Sequence, residues 1–176
     1  MEEPPEGVLF LLTADSLAGV LPTIRSRCVS FAIAPVSPAD CARYCTAHGV
    51  DKKTAALYSE LFDGHIGTVL TAARDKARTE QVDKAMELAR AAQAGDSYTA
   101  AVLLAPYEKD KAGAAALLRD LRAVAAAGLQ GSPHAPVQGQ QAQRTLRLAE
   151  AAIQRLGAQV NPKIVLTVFA ARLAHA

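Results

Sequence analysis

A chain of 176 residues, 51% of them hydrophobic, is large enough to bury a core in one or two compact units. Its 19 basic and 17 acidic residues leave a net charge of +2, too weak a field to select nucleic acid or anionic lipid, which argues against direct, autonomous DNA binding. Cys28, Cys41 and Cys45 are odd in number and form neither a disulfide framework nor a zinc spacing, which suits a reducing compartment.

The acidic start Met1-Glu2-Glu3 is not that of a signal peptide, and the longest apolar run covers residues 8–12, far short of the roughly 20 residues that span a bilayer. No membrane partner is expected, and the expected location is cytoplasmic. Val8-Leu9-Phe10-Leu11-Leu12 shows no alternation, the pattern of a strand buried on both faces of a parallel sheet. A short helical segment is predicted around residues 16–21, and Val29-Ser30-Phe31-Ala32-Ile33 reads as a second strand. Two strands make no buried sheet, so residues 1–35 are expected to be the C-terminal remnant of an α/β domain.

From Ser37 onward the signals are helical. Ser37-Pro38 is an N-cap followed by proline at the first helical position, and the helix should run to about His48 with Cys41, Tyr44 and Cys45 on one buried face and Gly49 as its stop. Asp51 caps a second helix with Leu57 and Leu61 one turn apart and Gly64 just past its end. A third is predicted over residues 66–78. These three helices form a small domain over 36–78, and the charged stretch Arg74 to Glu80 is expected to lead out of it.

Five helices are predicted over residues 79–176. The first carries Val82, Ala85, Met86 and Ala89, and the second ends before Pro106. The third starts at Asp110, with Ala114, Leu117, Leu118, Leu121 and Val124 on one stripe and Arg119, Asp120 and Arg122 on the wetter side. Glycines, prolines and Ser132 over residues 128–139 predict a mobile loop. A fourth helix carries Leu146, Ala149, Ile153 and Leu156 and closes at Gly157. Asn161-Pro162 starts the last, with Val165, Val168, Phe169 and Leu173 inward. The fold class is therefore mainly α: two strands ending an α/β domain, then three helices, then five.

No complete catalytic constellation is visible. The chain has no phosphate-cradling Gly-x4-Gly-Lys-Ser/Thr loop, no paired-aspartate strand for magnesium and no closely spaced His and Cys set for zinc. His48, His65, His134 and His175 are scattered and read as capping or solvated residues, so no metal is expected. Ser16 and Ser26 lack the context of a nucleophile elbow. One stretch stands out, Leu21-Pro22-Thr23-Ile24-Arg25-Ser26-Arg27-Cys28, with two arginines between a helix end and a strand. Composition alone reads them as solvated loop residues.

Glu2-Glu3-Pro4-Pro5, an apolar strand, and then Thr23-Ile24-Arg25-Ser26-Arg27-Cys28 together resemble clamp-loader subunits of the AAA+ superfamily from bacterial DNA polymerase III. Three further stretches agree with the resemblance. Phe62-Asp-Gly-His-Ile-Gly-Thr-Val-Leu70 is similar to the lid-domain segment, Leu117-Leu-Arg-Asp-Leu121 to a collar helix, and Asn161-Pro-Lys163 to the start of the final collar helix. The Thr-Ile-Arg-Ser-Arg-Cys wording is more similar to the delta-prime type than to tau/gamma, whose counterpart usually reads Thr-Ile-Leu-Ser-Arg-Cys.

The resemblance implies an AAA+ remnant over 1–35, a helical lid over 36–78 and a helical collar for oligomerisation over 79–176. It implies Arg27 as an arginine finger offered in trans to ATP on a tau/gamma neighbour, with Ser26, Cys28 and Arg25 supporting the motif. Thr13 matches the polar sensor-1 position and equally fits a plain strand end. Thr68 stands where ATP-binding relatives often carry the sensor-2 arginine, which favours a member that does not hydrolyse ATP itself. No cofactor is then expected in this chain, ATP and magnesium being held by partner subunits.

The implied partners are tau/gamma and delta, with the sliding clamp and primed DNA reached indirectly and self-association open to the isolated chain. The run 123–127 could offer an alanine-rich collar face, although such a run also suits a tightly packed core. The chain would be no enzyme by itself but a component of a DNA-directed DNA polymerase, a nucleotidyltransferase. Two alternatives stay open: the C-terminal part of an ATP-hydrolysing AAA+ subunit (tau/gamma or RarA-like), and a helical interaction module without a replication role.

Overall fold

Nine α-helices and two 3-10 turns form the regular structure of the described residues, 6–14, 16–34 and 36–174 of a computed structural model. The chain divides into two compact units, residues 1–34 and 35–176.

In the first unit, Ser16 caps a single 3-10 turn, Leu17–Gly19, by accepting from the Ala18 amide at 3.2 Å. One turn of α-helix follows, α1 (Pro22–Arg25), with proline at its first position. The helix expected over 16–21 is thus confined to three residues, and α1 lies where a loop was expected. The two strands expected over 8–12 and 29–33 do not form, and no strand occurs among the described residues. A strand has no hydrogen bonds within itself and needs a ladder partner. Instead the accessibility of residues 8–12 alternates: Val8, Phe10 and Leu12 are about half exposed, while Leu9 and Leu11 are 89% and 88% exposed.

The second unit follows its caps. Ser37 Oγ accepts from the Asp40 amide at 3.1 Å, Pro38 holds the first position, and α2 (Pro38–Ala47) ends at His48 before Gly49, whose φ is +89°. Cys41 and Cys45 are fully buried. Tyr44, expected on the same face, lies on its flank, 45% exposed and stacked on His48 with 4.0 Å between ring centroids. The Asp51 carboxylate accepts from the Lys53 and Thr54 amides at 3.0 and 2.8 Å and starts α3 (Lys52–Leu61). Gly64 turns the chain into α4 (Ile66–Arg74) with φ +72°. A Cβ there would come within 1.7 Å of the Val36 carbonyl oxygen, so only glycine fits.

The third helix of this group was expected to reach residue 78 and stops at Arg74. Asp75 adopts an extended backbone, and its carboxylate accepts from the Ala77 amide at 2.9 Å to cap α5 (Lys76–Ala94). Of the charged stretch expected to lead out of the bundle, Arg74 ends α4, Asp75 is the cap and residues 76–80 open a 19-residue helix, which runs through residues 78 and 79 and ends at left-handed Gly95.

Asp96 caps α6 (Ser97–Leu104), which tightens into the 3-10 turn Ala105–Tyr107. Asp110 caps α7 (Lys111–Leu129), and α8 (Gly139–Gly157) and α9 (Pro162–Ala174) complete the unit. In α7 the stripe Ala114, Leu117, Leu118, Leu121 and Val124 is buried, and it packs chiefly on α8 and α5. Of the alanine-rich run, Val124, Ala125 and Ala127 are buried as core. Helix α9 lies against α6 and α8.

The segment between α7 and α8, expected to be mobile, is tied down. Ala135 and Val137 are buried, and Gln138 Nε2 donates to the carbonyl oxygens of Ser132 and Ala135, each at 2.8 Å. Gly128 lies so close to the Val137 carbonyl that a Cβ would meet its oxygen at 1.9 Å.

Candidate functional site

The arginine-bearing turn is built by α1. Proline presets the backbone of the first helical residue, and the Ile24 and Arg25 amides both donate to the Leu21 carbonyl oxygen, at 3.0 and 3.1 Å. One turn leaves the Thr23 carbonyl at the helix end with no amide partner, and two side chains fold back onto it. Ser26 Oγ donates to it at 3.1 Å and Arg27 Nη1 at 2.9 Å. A cation here also meets the negative end of the short helix.

Arg25, Ser26, Arg27 and Cys28 are all exposed, and among the described residues no carboxylate pairs with either arginine. Arginine stays charged and carries five donors in a planar fork, of which Arg27 uses one on Thr23. The remaining donors suit the oxygens of a phosphate or carboxylate. Thr13 is exposed on the extended segment before the turn, and among the described residues no hydrogen bond joins it to residues 25–28. The turn thus gathers four of the five predicted site residues, held together by their adjacency in the chain. Residues 2–5, which carry part of the sequence resemblance, lie outside the described residues.

Thr68 is exposed on α4 and lines a groove between the α3–α4 turn and α7, with Asp63, His65 and Arg122 among its other walls. His48 Nδ1 lies 2.8 Å from the Tyr44 carbonyl oxygen and His65 Nδ1 lies 2.7 Å from that of Phe62, so both are engaged at helix ends. The His134 amide donates to Ser132 Oγ at 3.3 Å. His175 lies outside the described residues. Among the described residues no three of His, Cys, Asp and Glu converge as metal ligands, and no helix is long and apolar enough to cross a membrane. The Cys45 thiol is pushed up to about 11, first by burial and then by Cys41 beside it, and so behaves as a small apolar group. Cys28 is the exposed thiol.

One polar cluster is not evident from the sequence. Asp120, expected on the wet side of α7, is buried. Both its oxygens accept from Arg78 in a bidentate pair, with Nη2 to Oδ1 at 2.5 Å, and Gln81 Nε2 donates to Oδ2 at 2.8 Å. The Arg78 guanidinium also lies over the Phe62 ring, 5.7 Å from its centroid. The hydrogen bonds to Asp120 raise the Arg78 pKa above its ordinary value, and burial raises that of nearby Tyr58. Two signals bear on this position. Asp120 stands about 60° from Leu117 and about 40° beyond Val124 around the helix, outside the apolar stripe but on the side of Ala127, which is also buried. Its partner, however, is 42 residues earlier in the chain.

Residues 1–37 match a family model described as DNA polymerase III, delta subunit. The matched stretch contains Thr13 and the whole arginine turn, and it supports a relation to the clamp-loader-related proteins of DNA polymerase III. No curated protein and no solved structure matches the chain.

Proposed function

We propose that this chain is part of a non-hydrolysing clamp-loader subunit of the delta-prime type, working in DNA replication in the cytoplasm. Arg27 is its arginine finger, offered in trans to ATP and magnesium held by a tau/gamma subunit. Arg25, Ser26 and Cys28 shape the turn, and Thr13 takes the sensor-1 place. Helices α2–α4 serve as the lid, and α5–α9 as the collar that assembles with tau/gamma and delta. The sliding clamp and primed DNA are reached through those partners.

The observation that carries this reading is the coincidence of the matched stretch, residues 1–37, with an exposed turn of two arginines that meet no carboxylate among the described residues. A guanidinium beside the γ-phosphate neutralises charge spreading over its oxygens during transfer and is worth roughly 10³ to 10⁵ in rate where such fingers operate. The hydrogen bond from Nη1 to the Thr23 carbonyl oxygen limits the rotamers of Arg27, which lowers the entropy lost when the rest of the fork engages phosphate.

The test is ATP turnover by a loader reconstituted from tau/gamma, delta and the complete subunit carrying Arg27→Ala or Arg27→Lys. Turnover at the facing site should fall about a thousandfold for alanine, with little recovery by lysine, while gel filtration shows an assembled complex. Unchanged turnover in an assembled complex contradicts the assignment of Arg27. ATP hydrolysis by the complete subunit alone would support an ATP-hydrolysing AAA+ subunit instead.

A further inference from the structure

Helices α4 and α5 are separated by a single residue, Asp75, whose backbone (φ −96°, ψ 112°) breaks the helical path. That joint is the covalent connection between α2–α4 and α5–α9. Polar side chains close over it. Thr79 Oγ1 donates back across the joint to the Ala72 carbonyl oxygen at 2.8 Å. Three residues past the joint, Arg78 touches both sides at once: its guanidinium lies over Phe62 at the end of α3 and forks onto Asp120 of α7, where Gln81 of α5 adds a third donor. A second tie lies apart from the first, where Ser132 Oγ, in the segment after α7, donates to the Glu60 carboxylate of α3.

We propose that Arg78, locked in place by Asp120 and Gln81, is a part-buried clasp that seats α2–α4 on α5 through the Phe62 ring, with Asp75 as the hinge it holds shut. Apolar side chains between helices slide and repack at small cost, whereas a bidentate arginine–carboxylate pair has one good geometry. A buried pair of this kind contributes little net stability over well-packed apolar residues of the same size, because desolvation offsets the attraction. Its effect is therefore on orientation. Removing one partner strands the other: Asp120 is 5% exposed and, without Arg78, would keep only the Gln81 bond. Two separated ties, from Arg78 to Phe62 and from Ser132 to Glu60, resist rotation as well as translation. The clasp stands on this geometry whether or not Arg27 reaches a nucleotide.

Hydrogen exchange of the intact chain, followed by peptide mass, tests the clasp with two variants. In Asp120→Asn, which frees Arg78 from its fork, exchange over α2–α4 should rise about 10-fold relative to α7 and α8, the scale of a partly desolvated cation–π contact. In the apolar double variant Arg78→Met/Asp120→Leu, overall thermal stability should be kept while α2–α4 still exchange selectively faster. That second variant remains informative if the first does not fold. Acceleration of all helices together, or wild-type exchange over α2–α4 in the apolar double variant, overturns the proposal.

Discussion

Residues 117–121 and residues 8–12 are both short runs rich in leucine, yet Leu117, Leu118 and Leu121 are fully buried whereas Leu9 and Leu11 are 89% and 88% exposed. The difference lies in what each backbone needs. A helix satisfies its own amides and carbonyls and has only to find one apolar face for its stripe, which α7 obtains from α5 and α8. An extended segment must first find ladder partners from elsewhere in sequence, and none pairs with it among the described residues. Apolar character therefore sets the demand for burial, and topology decides whether it is met.

Substitution in the two regions sharpens this contrast most. Leu121→Ala leaves a cavity in the core and should cost about 3 kcal/mol in chemical denaturation followed by helical circular dichroism, whereas Phe31→Ser should stay within about 0.5 kcal/mol. Comparable losses for both would mean that residues 29–33 are packed in solution, breaking the comparison.

A smaller effect is expected at the glycines. Gly128→Ala forces a Cβ against the Val137 carbonyl oxygen and should cost about 1–3 kcal/mol, while Gly157→Ala, where a Cβ meets nothing within 4 Å, should be neutral or slightly stabilising in the same assay.

The smallest effect is on pH. Hydrogen bonds from the Thr54 side chain, then from the Thr54 and Lys53 amides, lower the Asp51 pKa below its ordinary 3.8. A depressed folded-state value means that Asp51's contribution is complete above 3.8 and is lost as pH falls through the lower folded value. Asp51→Asn should remove that part of the acid dependence and leave stability at neutral pH nearly unchanged, since asparagine also caps.

Most helices were legible because their ends are written in local chemistry. Ser37-Pro38, Asp51, Asp110 and Asn161-Pro162 each precede an apolar periodicity, and the helices begin where those residues cap them or where proline takes the first position. What escaped depends on distant partners or on competing local signals. Asp75 caps α5 from inside a run of charges that resembled a linker. Asp120 looked solvated because Arg78 is remote in sequence. The segment after α7 has the composition of a mobile loop, but Gln138 and Ser132 fasten it and Val137 is buried. In the candidate site, Pro22 carried a signal for helix α1 that the two following arginines obscured. Their chemistry was legible from residue type, whereas the bond from Arg27 to the Thr23 carbonyl oxygen required coordinates.

The role assigned to Arg27 meets its most direct test in the reconstituted loader. Single-turnover ATP hydrolysis at the tau/gamma site facing the complete subunit should fall about a thousandfold with Arg27→Ala, in a complex that still assembles. Hydrolysis at the wild-type rate in that assembled complex would contradict it and leave residues 25–28 as a solvated turn.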